Sequence, residues 1–135
     1  EYPSSKYKDI ITTKDVEERK HHIHMNGREV FKHAIRRFPE VILEGLEHND
    51  LTVSDVSLVI PHQANYRITQ AVQKRLNIND NQIFSNIHKY GNTTAASIGI
   101  ALSEAIEEKR INDGDIVVLA SFGAGWYWGS VIIKW

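Results

Sequence analysis

The fold of this 135-residue chain is decided at residues 56–65, which read VSLVIPHQAN. The first five of these residues are rich in β-branched side chains and predict a strand. Pro61 ends that strand because proline has no backbone N–H to donate within a sheet. Apolar residues then recur at three- and four-residue steps, which predicts a helix over about 64–76. His62 therefore lies at a strand-to-helix turn.

A second polar string, YGNTT, occupies residues 90–94, between a short predicted strand at 82–86 and a predicted helix at 94–109. Asn92 is 30 residues beyond His62, about the length of one β-α-β unit, so both turns can open on the same edge of a sheet. A neutral imidazole and an amide group both donate hydrogen bonds. We therefore expect His62 and Asn92 to direct two donors at one oxygen that develops negative charge.

The remaining elements follow from hydrophobic periodicity. Helical spacing of apolar residues runs from about 27 to 46, and Pro39 within this stretch predicts a kink or a restart of the helix. Two further strands, at 116–121 and 126–135, flank the glycine-rich bend FGAG at 122–125. Strands that alternate with helices indicate a layered α/β domain, in which a mixed sheet carries helices on its faces and ends in an antiparallel pair.

The N-terminal region is polar, and up to about residue 20 we expect a loop or an irregular insertion. The run HHIHM at 21–25 alternates weakly and is compatible with a short strand. Its histidines are His21, His22 and His24. Because they have no carboxylate or cysteine partner at helical spacing, we predict no metal site here.

The composition is that of an ordinary globular domain and argues against several classes of protein. A formal net charge of −1 gives no global case for binding nucleic acid or an anionic membrane. The absence of cysteine excludes disulfides and thiolate metal sites, and no apolar run approaches the roughly 20 residues of a membrane-spanning helix. Because the first residue is Glu1, we expect an excised piece, a proteolytic product or one chain of a larger protein.

The two polar strings, together with FGAGWYWGS at residues 122–130, resemble the C-terminal half of β-ketoacyl-acyl carrier protein synthase III, a condensing enzyme of the thiolase-like fold. The resemblance extends over about 24–135, which implies a thiolase-like domain there and an irregular segment at 1–23. In that family an acyl group from acyl-CoA is loaded onto a cysteine of the N-terminal half. Malonyl-acyl carrier protein then loses CO₂, and its carbanion attacks the acyl thioester.

The resemblance implies four catalytic groups in this chain. Nε2 of His62 and the side-chain N–H of Asn92 would hold the thioester oxygen of the malonyl group while it loses CO₂. The backbone N–H of Ala124 would belong to the oxyanion hole over the acyl-cysteine carbonyl, and Phe122 would pack beside the cysteine and help to exclude water. Because the chain has no cysteine of its own, it would supply half of an active site and depend on an N-terminal half for the nucleophile.

Further positions match the path of the substrates in the same family. Those that line the pantetheine and CoA tunnel are Gly27, Arg28, Phe31, Ala64 and Asn65. At position 28 the best-known members carry asparagine instead. Those around the tunnel mouth, where an acidic carrier protein or the CoA phosphates would dock, are Lys32, Arg67, Lys74 and Arg75. The resemblance implies a cytoplasmic homodimer that uses CoA and carrier-protein thioesters as substrates and needs no cofactor.

Other functions are compatible with the same scaffold. A related acyltransferase, or a condensing enzyme of specialised metabolism, would differ in the walls of the tunnel that select the acceptor. A non-catalytic partner subunit of a heterodimeric synthase would also share the fold, but it would have no need for both His62 and Asn92. A DNA-binding interpretation of 50–76 fails, because a strand and not a helix precedes the second element of that segment.

Overall fold

The computed structural model describes residues 12–22, 25–123 and 126–135. Its helices are α1 (Thr13–Glu17), α2 (Gly27–Glu47), α3 (Tyr66–Leu76), α4 (Ile87–Tyr90) and α5 (Ala96–Glu107). Its strands are β1 (Val56–Pro61), β2 (Ile116–Gly123) and β3 (Tyr127–Lys134). A 3₁₀ turn, Val53–Asp55, precedes β1. A second 3₁₀ turn, Asp80–Gln82, precedes the segment that leads to α4.

The strands form one sheet in the order β1-β2-β3. β1 runs parallel to β2, with Pro61 opposite Ala120. β3 returns antiparallel to β2, with Trp128 opposite Phe122. The sheet is therefore mixed and ends in an antiparallel pair, which confirms the predicted α/β class.

Each face of the parallel pair is covered by helices. Helices α2 and α3 share one apolar cluster with Val59 of β1 and Val118 of β2. Helix α5 shares the other cluster with Leu58 and Val117, the preceding residues on the same two strands. Successive side chains of a strand point to opposite faces, so burial on both faces requires an apolar residue at nearly every position. This requirement accounts for the apolar run LVIP at 58–61, which directly precedes His62.

Helix α2 continues without interruption through Pro39. We expected a kink or a restart at this residue, and the restart is therefore wrong. Proline removes one hydrogen bond of the helix, but Pro39 itself is buried, and so are its neighbours Phe38 and Ile42. Burial of this apolar face against the sheet offsets the lost hydrogen bond.

The strand predicted at 82–86 is also wrong, because it shrinks to a single parallel bridge between Val59 and Ile83. The backbone N–H of Phe84 donates to the carbonyl of Val59 at 2.9 Å, after which the ladder stops. It stops because the backbone N–H of Asn86 bonds to the side chain of Gln63 instead of to β1. The hydroxyl of Ser85 bonds to the same side chain.

The polar N-terminal region contains one short helix that we did not predict. Thr12 caps α1 through a capping box: its backbone N–H donates to the Asp15 carboxylate at 3.0 Å, and its hydroxyl accepts the Asp15 N–H at 3.2 Å. The strand proposed at 21–25 falls partly outside the described residues, and His21 and His22 lie in a turn and a bend. Among the described helices, none combines the length and the apolar composition that crossing a bilayer requires.

Helix α2 lies so close to β3 that Gly45 has no room for a side chain. A Cβ atom at this position would lie 2.6 Å from Oγ of Ser130. That hydroxyl donates to the carbonyl of Val41 at 2.8 Å, so it cannot move away without losing the hydrogen bond. This contact holds β3 against α2.

Gly45→Ala should lower the free energy of unfolding by about 1–3 kcal/mol, the usual cost of overpacking. In a Ser130→Ala background the same change should be neutral or stabilising. The clashing oxygen is then gone, and alanine favours a helix over glycine by about 1 kcal/mol. Urea unfolding of the parent, both single variants and the double variant measures these steps. An equal loss in both backgrounds would show that the contact with Ser130 is not the cause.

Candidate functional site

The site begins where β1 ends, at the carboxyl edge of the sheet. The backbone N–H of His62 donates to the carbonyl of Ala120 on β2 at 2.7 Å, which extends the parallel ladder one residue beyond Pro61. Phe122 lies two residues further along β2. His62 and Phe122 therefore lie at the carboxyl ends of two neighbouring parallel strands, the edge at which open α/β sheets bind ligands.

The imidazole of His62 is half-buried and is held by helix α5. Its Nδ1 lies 2.5 Å from Oγ of Ser97, a residue in the first turn of that helix. Among the described residues, Nε2 has no hydrogen-bond partner. Burial lowers the pKa of His62 below its ordinary value of 6.5, because burial penalises the charged form. The ring is therefore neutral at neutral pH.

Asn92 presents its amide group from a turn just before α5. Its Oδ1 accepts the backbone N–H of Thr94 at 2.9 Å. A backbone N–H can bond only to the oxygen of an amide, so the side chain has one defined orientation and its NH₂ group points away from Thr94. Within the described part of the chain, that NH₂ group has no partner.

The backbone around Asn92 adopts uncommon conformations. Gly91 has φ +68° and ψ −156°, a region that is essentially restricted to glycine. Thr94 has φ +52°, which is rare for a β-branched residue. The surrounding contacts must over-determine this turn, since a residue such as Thr94 at positive φ costs about 1–3 kcal/mol, whereas glycine adopts its conformation freely.

Gln63 ties the His62 turn to the segment that leads toward Asn92. Its side chain is 1% exposed, and its Nε2 donates to the carbonyl of Pro61 at 2.6 Å. Its Oε1 accepts the hydroxyl of Ser85 at 2.7 Å and the backbone N–H of Asn86 at 3.2 Å. From the sequence we used Gln63 only as part of the string that follows β1, and we assigned it no role of its own.

Helix α4 is in turn tied to α5. The Asn86 side chain donates to one oxygen of the Glu104 carboxylate at 2.7 Å, and Lys89 Nζ lies 2.6 Å from the other oxygen. These hydrogen bonds, the one from Lys89 foremost, lower the pKa of Glu104. The turn that carries Asn92 is therefore held at both ends, by α4 before it and by α5 after it.

The other proposed catalytic positions are Phe122, near the end of β2, and Ala124. Phe122 is buried, and its ring centroid lies 6.3 Å from that of Phe38, 5.7 Å from that of Trp126 and 6.4 Å from that of Trp128. Ala124, whose backbone N–H we expect in an oxyanion hole, falls outside the described residues.

The positions proposed for the substrate tunnel lie at the first turn of α2 and just before α3. Gly27 and Arg28 are exposed, and Phe31 packs partly against the core. Ala64 is half-buried, and Asn65 caps α3 by accepting the N–H two residues later at 2.9 Å. Among the described residues, no group of three His, Cys, Asp or Glu side chains could hold a metal ion.

The four proposed docking cations are all exposed, but they differ in their partners. Lys32 Nζ lies 2.8 Å from the Glu29 carboxylate on the same helix, so its charge is largely compensated. Arg67, Lys74 and Arg75 have no ion-pair partner among the described residues, and α3 contains no acidic residue. Of these four cations, the three without an ion pair therefore all lie on α3.

One family model matches two thirds of this chain. It is described as the C-terminal part of 3-oxoacyl-[acyl-carrier-protein (ACP)] synthase III, and the match covers residues 46–135. The chain belongs to this family. The matched range includes His62, Asn92 and Phe122, so the resemblance drawn from the sequence is confirmed.

Relatives of this synthase III domain agree in sequence and in fold. The β-ketoacyl-[acyl-carrier-protein] synthase III of Roseiflexus castenholzii is 48% identical over 89% of this chain. The solved 3-oxoacyl-[acyl-carrier-protein] synthase III of Aquifex aeolicus is 48% identical over 86% of the chain, with a TM-score of 0.83. This chain covers only 36% of the first protein and 38% of the second. The predicted thiolase-like fold is confirmed.

A more distant neighbour of the synthase III domain has a different biosynthetic setting. The priming β-ketosynthase of the R1128 polyketide biosynthetic pathway is 28% identical over 90% of this chain, with a TM-score of 0.77. The chain covers 38% of that protein.

Gln63→Ala should lower the free energy of unfolding by about 1–3 kcal/mol, because it leaves the buried N–H of Asn86 without an acceptor. Gln70→Ala, an exposed position on α3, should change it by less than about 0.5 kcal/mol. Urea unfolding of both variants tests the difference. If the two substitutions had equal effects, the buried amide of Gln63 would not hold the turns together.

Proposed function

We propose that this domain supplies the decarboxylation half of the active site in a β-ketoacyl-acyl carrier protein synthase III. The complete enzyme condenses an acyl-CoA primer with malonyl-acyl carrier protein in fatty acid biosynthesis. The observation that carries the proposal is the pairing of a neutral, half-buried His62 with an oriented Asn92 amide in a chain of this family. Both side chains offer N–H groups that no described residue uses.

Decarboxylation moves one negative charge across the malonyl group. The bond between C2 and the carboxylate breaks, CO₂ leaves, and the electron pair passes to the enolate, whose charge rests mainly on the thioester oxygen. His62 and Asn92 donate to that oxygen, which gains charge only as the bond breaks. Donors aimed at such a position stabilise the transition state more than the ground state, and this difference accelerates the step.

The carbanion then attacks the carbonyl of the acyl-cysteine, the carbon–sulfur bond breaks and the thiolate leaves. That cysteine belongs to the part of the enzyme beyond this chain, since the domain contains none. The Ala124 backbone N–H stabilises the oxyanion of this second step. Phe122 keeps water from the carbanion, which would otherwise be protonated.

Substrates reach this site through a tunnel lined by Gly27, Arg28, Phe31, Ala64 and Asn65. Acyl-CoA and malonyl-acyl carrier protein are the partners, and no further cofactor, nucleic acid or membrane takes part. The enzyme works as a cytoplasmic homodimer in which each protomer contains both halves of the site. The acidic carrier protein docks on the unpaired cations of α3, and Lys32 contributes less because Glu29 already pairs with it.

The second candidate is a priming ketosynthase of specialised metabolism, and the observation that favours it is the similarity to the R1128 ketosynthase. This similarity is weaker, at 28% identity, than the 48% identity to the Aquifex aeolicus synthase III. Incubation of the full-length enzyme with malonyl-acyl carrier proteins from the two kinds of pathway separates the candidates. Faster release of CO₂ with the fatty acid carrier protein supports our proposal. Faster release with the polyketide carrier protein overturns it.

In the full-length enzyme, His62→Ala should slow malonyl decarboxylation by about 10²–10³, the usual cost of one oxyanion donor. Asn92→Asp should do the same. It keeps an oxygen for the Thr94 N–H but replaces the free NH₂ group by a carboxylate oxygen. Release of ¹⁴CO₂ measures decarboxylation, and transfer of a labelled acyl group to the enzyme measures loading.

Loading should fall much less than decarboxylation, because it depends on the separate donor at Ala124. His48→Ala is a matched control, since this exposed histidine follows the C-terminus of α2. Equal losses of loading and decarboxylation in both site variants would contradict the division of roles.

Arg67→Glu should raise the KM for malonyl-acyl carrier protein and leave turnover at saturation nearly unchanged, because a surface cation speeds capture more than chemistry. The difference from the parent should shrink as salt is added. Lys134→Glu is the control: Lys134 is exposed and pairs with Ile116, at the end of β2 opposite to the site. If both reversals changed KM equally at low salt, only net charge would matter and α3 would not be the docking surface.

A further inference from the structure

The two nitrogens of the His62 ring face different surroundings, and a neutral imidazole carries a hydrogen on only one of them. Nδ1 contacts Ser97 Oγ, whereas Nε2 has no partner among the described residues. His62 can donate to a substrate oxygen through Nε2 only if the hydrogen is on Nε2. The tautomer therefore decides whether this side chain can serve as an oxyanion donor.

The hydroxyl of Ser97 has one hydrogen to donate and two lone pairs that accept. It lies 2.5 Å from Nδ1 of His62 and accepts the backbone N–H of Gln63 at 3.2 Å. Among the described residues, Nδ1 is the only hydrogen-bond acceptor that this hydroxyl contacts. Ser97 is 2% exposed, so bulk water does not offer an alternative.

The two possible tautomers differ in how many hydrogen bonds they satisfy. With the hydrogen on Nε2, Ser97 donates to Nδ1 and every group at this contact is paired. With the hydrogen on Nδ1, Ser97 would accept from both His62 and Gln63, and its own hydrogen would be buried without an acceptor. A buried donor without a partner is strongly unfavourable, so the first arrangement prevails.

We propose that Ser97 is a positioning residue that holds His62 in the Nε2–H tautomer and aims that hydrogen at the substrate oxygen. The assignment of the tautomer stands on the contacts alone, whereas its catalytic consequence rests on the function proposed above. Protonation of the ring would place a hydrogen on Nδ1 and displace the Ser97 donor. Burial, which lowers the pKa of His62, works against that change.

Nitrogen NMR of the full-length enzyme with ¹⁵N-labelled histidine tests the tautomer directly, with the His62 signals assigned by their loss in His62→Gln. At neutral pH we expect a protonated Nε2 and an unprotonated, hydrogen-bonded Nδ1. In Ser97→Ala the Nδ1 signal should shift toward that of an imidazole without this hydrogen bond, and in Ser97→Thr it should return. A protonated Nδ1 in the parent enzyme overturns the inference, even if a Ser97 variant does not fold.

Kinetics test the consequence for catalysis. Ser97→Ala should lower the rate of decarboxylation by about 10–100-fold, the usual effect of removing a group that orients a functional histidine, and leave the KM for malonyl-acyl carrier protein unchanged. Ser97→Thr should recover most of the rate because it keeps the hydroxyl. Ser103→Ala, at an exposed position on the same helix, should have no effect.

The outcomes separate this inference from the proposed function. If His62→Ala leaves decarboxylation unchanged, the proposed function is wrong, and the NMR result still decides the tautomer. If His62→Ala slows decarboxylation and Ser97→Ala does not, the proposed function stands and Ser97 has no positioning role. If Ser97→Ala both slows decarboxylation and raises the KM for malonyl-acyl carrier protein, and Ser97→Thr recovers neither, Ser97 has a structural role only.

Discussion

The geometry of the site depends on the hydrogen bonds of one buried side chain, that of Gln63. It joins the end of β1 to residues 85–86, and the adjacent Ser97 joins His62 to the first turn of α5. A buried amide stabilises a structure only if its polar atoms are paired, and Gln63 accepts two hydrogen bonds and donates one. Any shift of one turn relative to the other would break several of these bonds at once. The donors of His62 and Asn92 are therefore preorganised by polar contacts and not by apolar packing alone.

The sheet makes this arrangement possible. The parallel pair β1 and β2 is buried on both faces, so polar side chains can emerge only where the strands end. His62 and Phe122 emerge at that edge, and α5 approaches the same edge from the far face. Ser97 lies at the N-terminal end of α5, so the helix that covers the core also reaches the imidazole.

Much of this fold could be predicted from the sequence, because the spacing of apolar residues indicates most of its helices and strands. Strand β1 and helix α3 were predicted within about two residues, and so was the antiparallel return of β3. The strand at 82–86 could not be rejected locally: its ladder ends because the backbone N–H of Asn86 bonds to the side chain of Gln63, which is 23 residues away in sequence. Helix α4 is a single turn and has too few residues for a periodic signal.

The candidate donors of the site could be proposed from the sequence, but the contacts that orient them could not. We selected His62 and Asn92 because each lies in a short polar segment between a predicted strand and a predicted helix. The contact between His62 and Ser97 joins residues 35 positions apart and follows only from the packing of α5. Burial is the cause of the lowered pKa of His62. If the site acts as we propose, a cation in place of the neutral ring would attract the malonyl carboxylate as strongly as the enolate. In the function that we propose, neutral donors would favour the developing enolate, whereas the unpaired cations of α3 would act earlier, on the approach of the carrier protein.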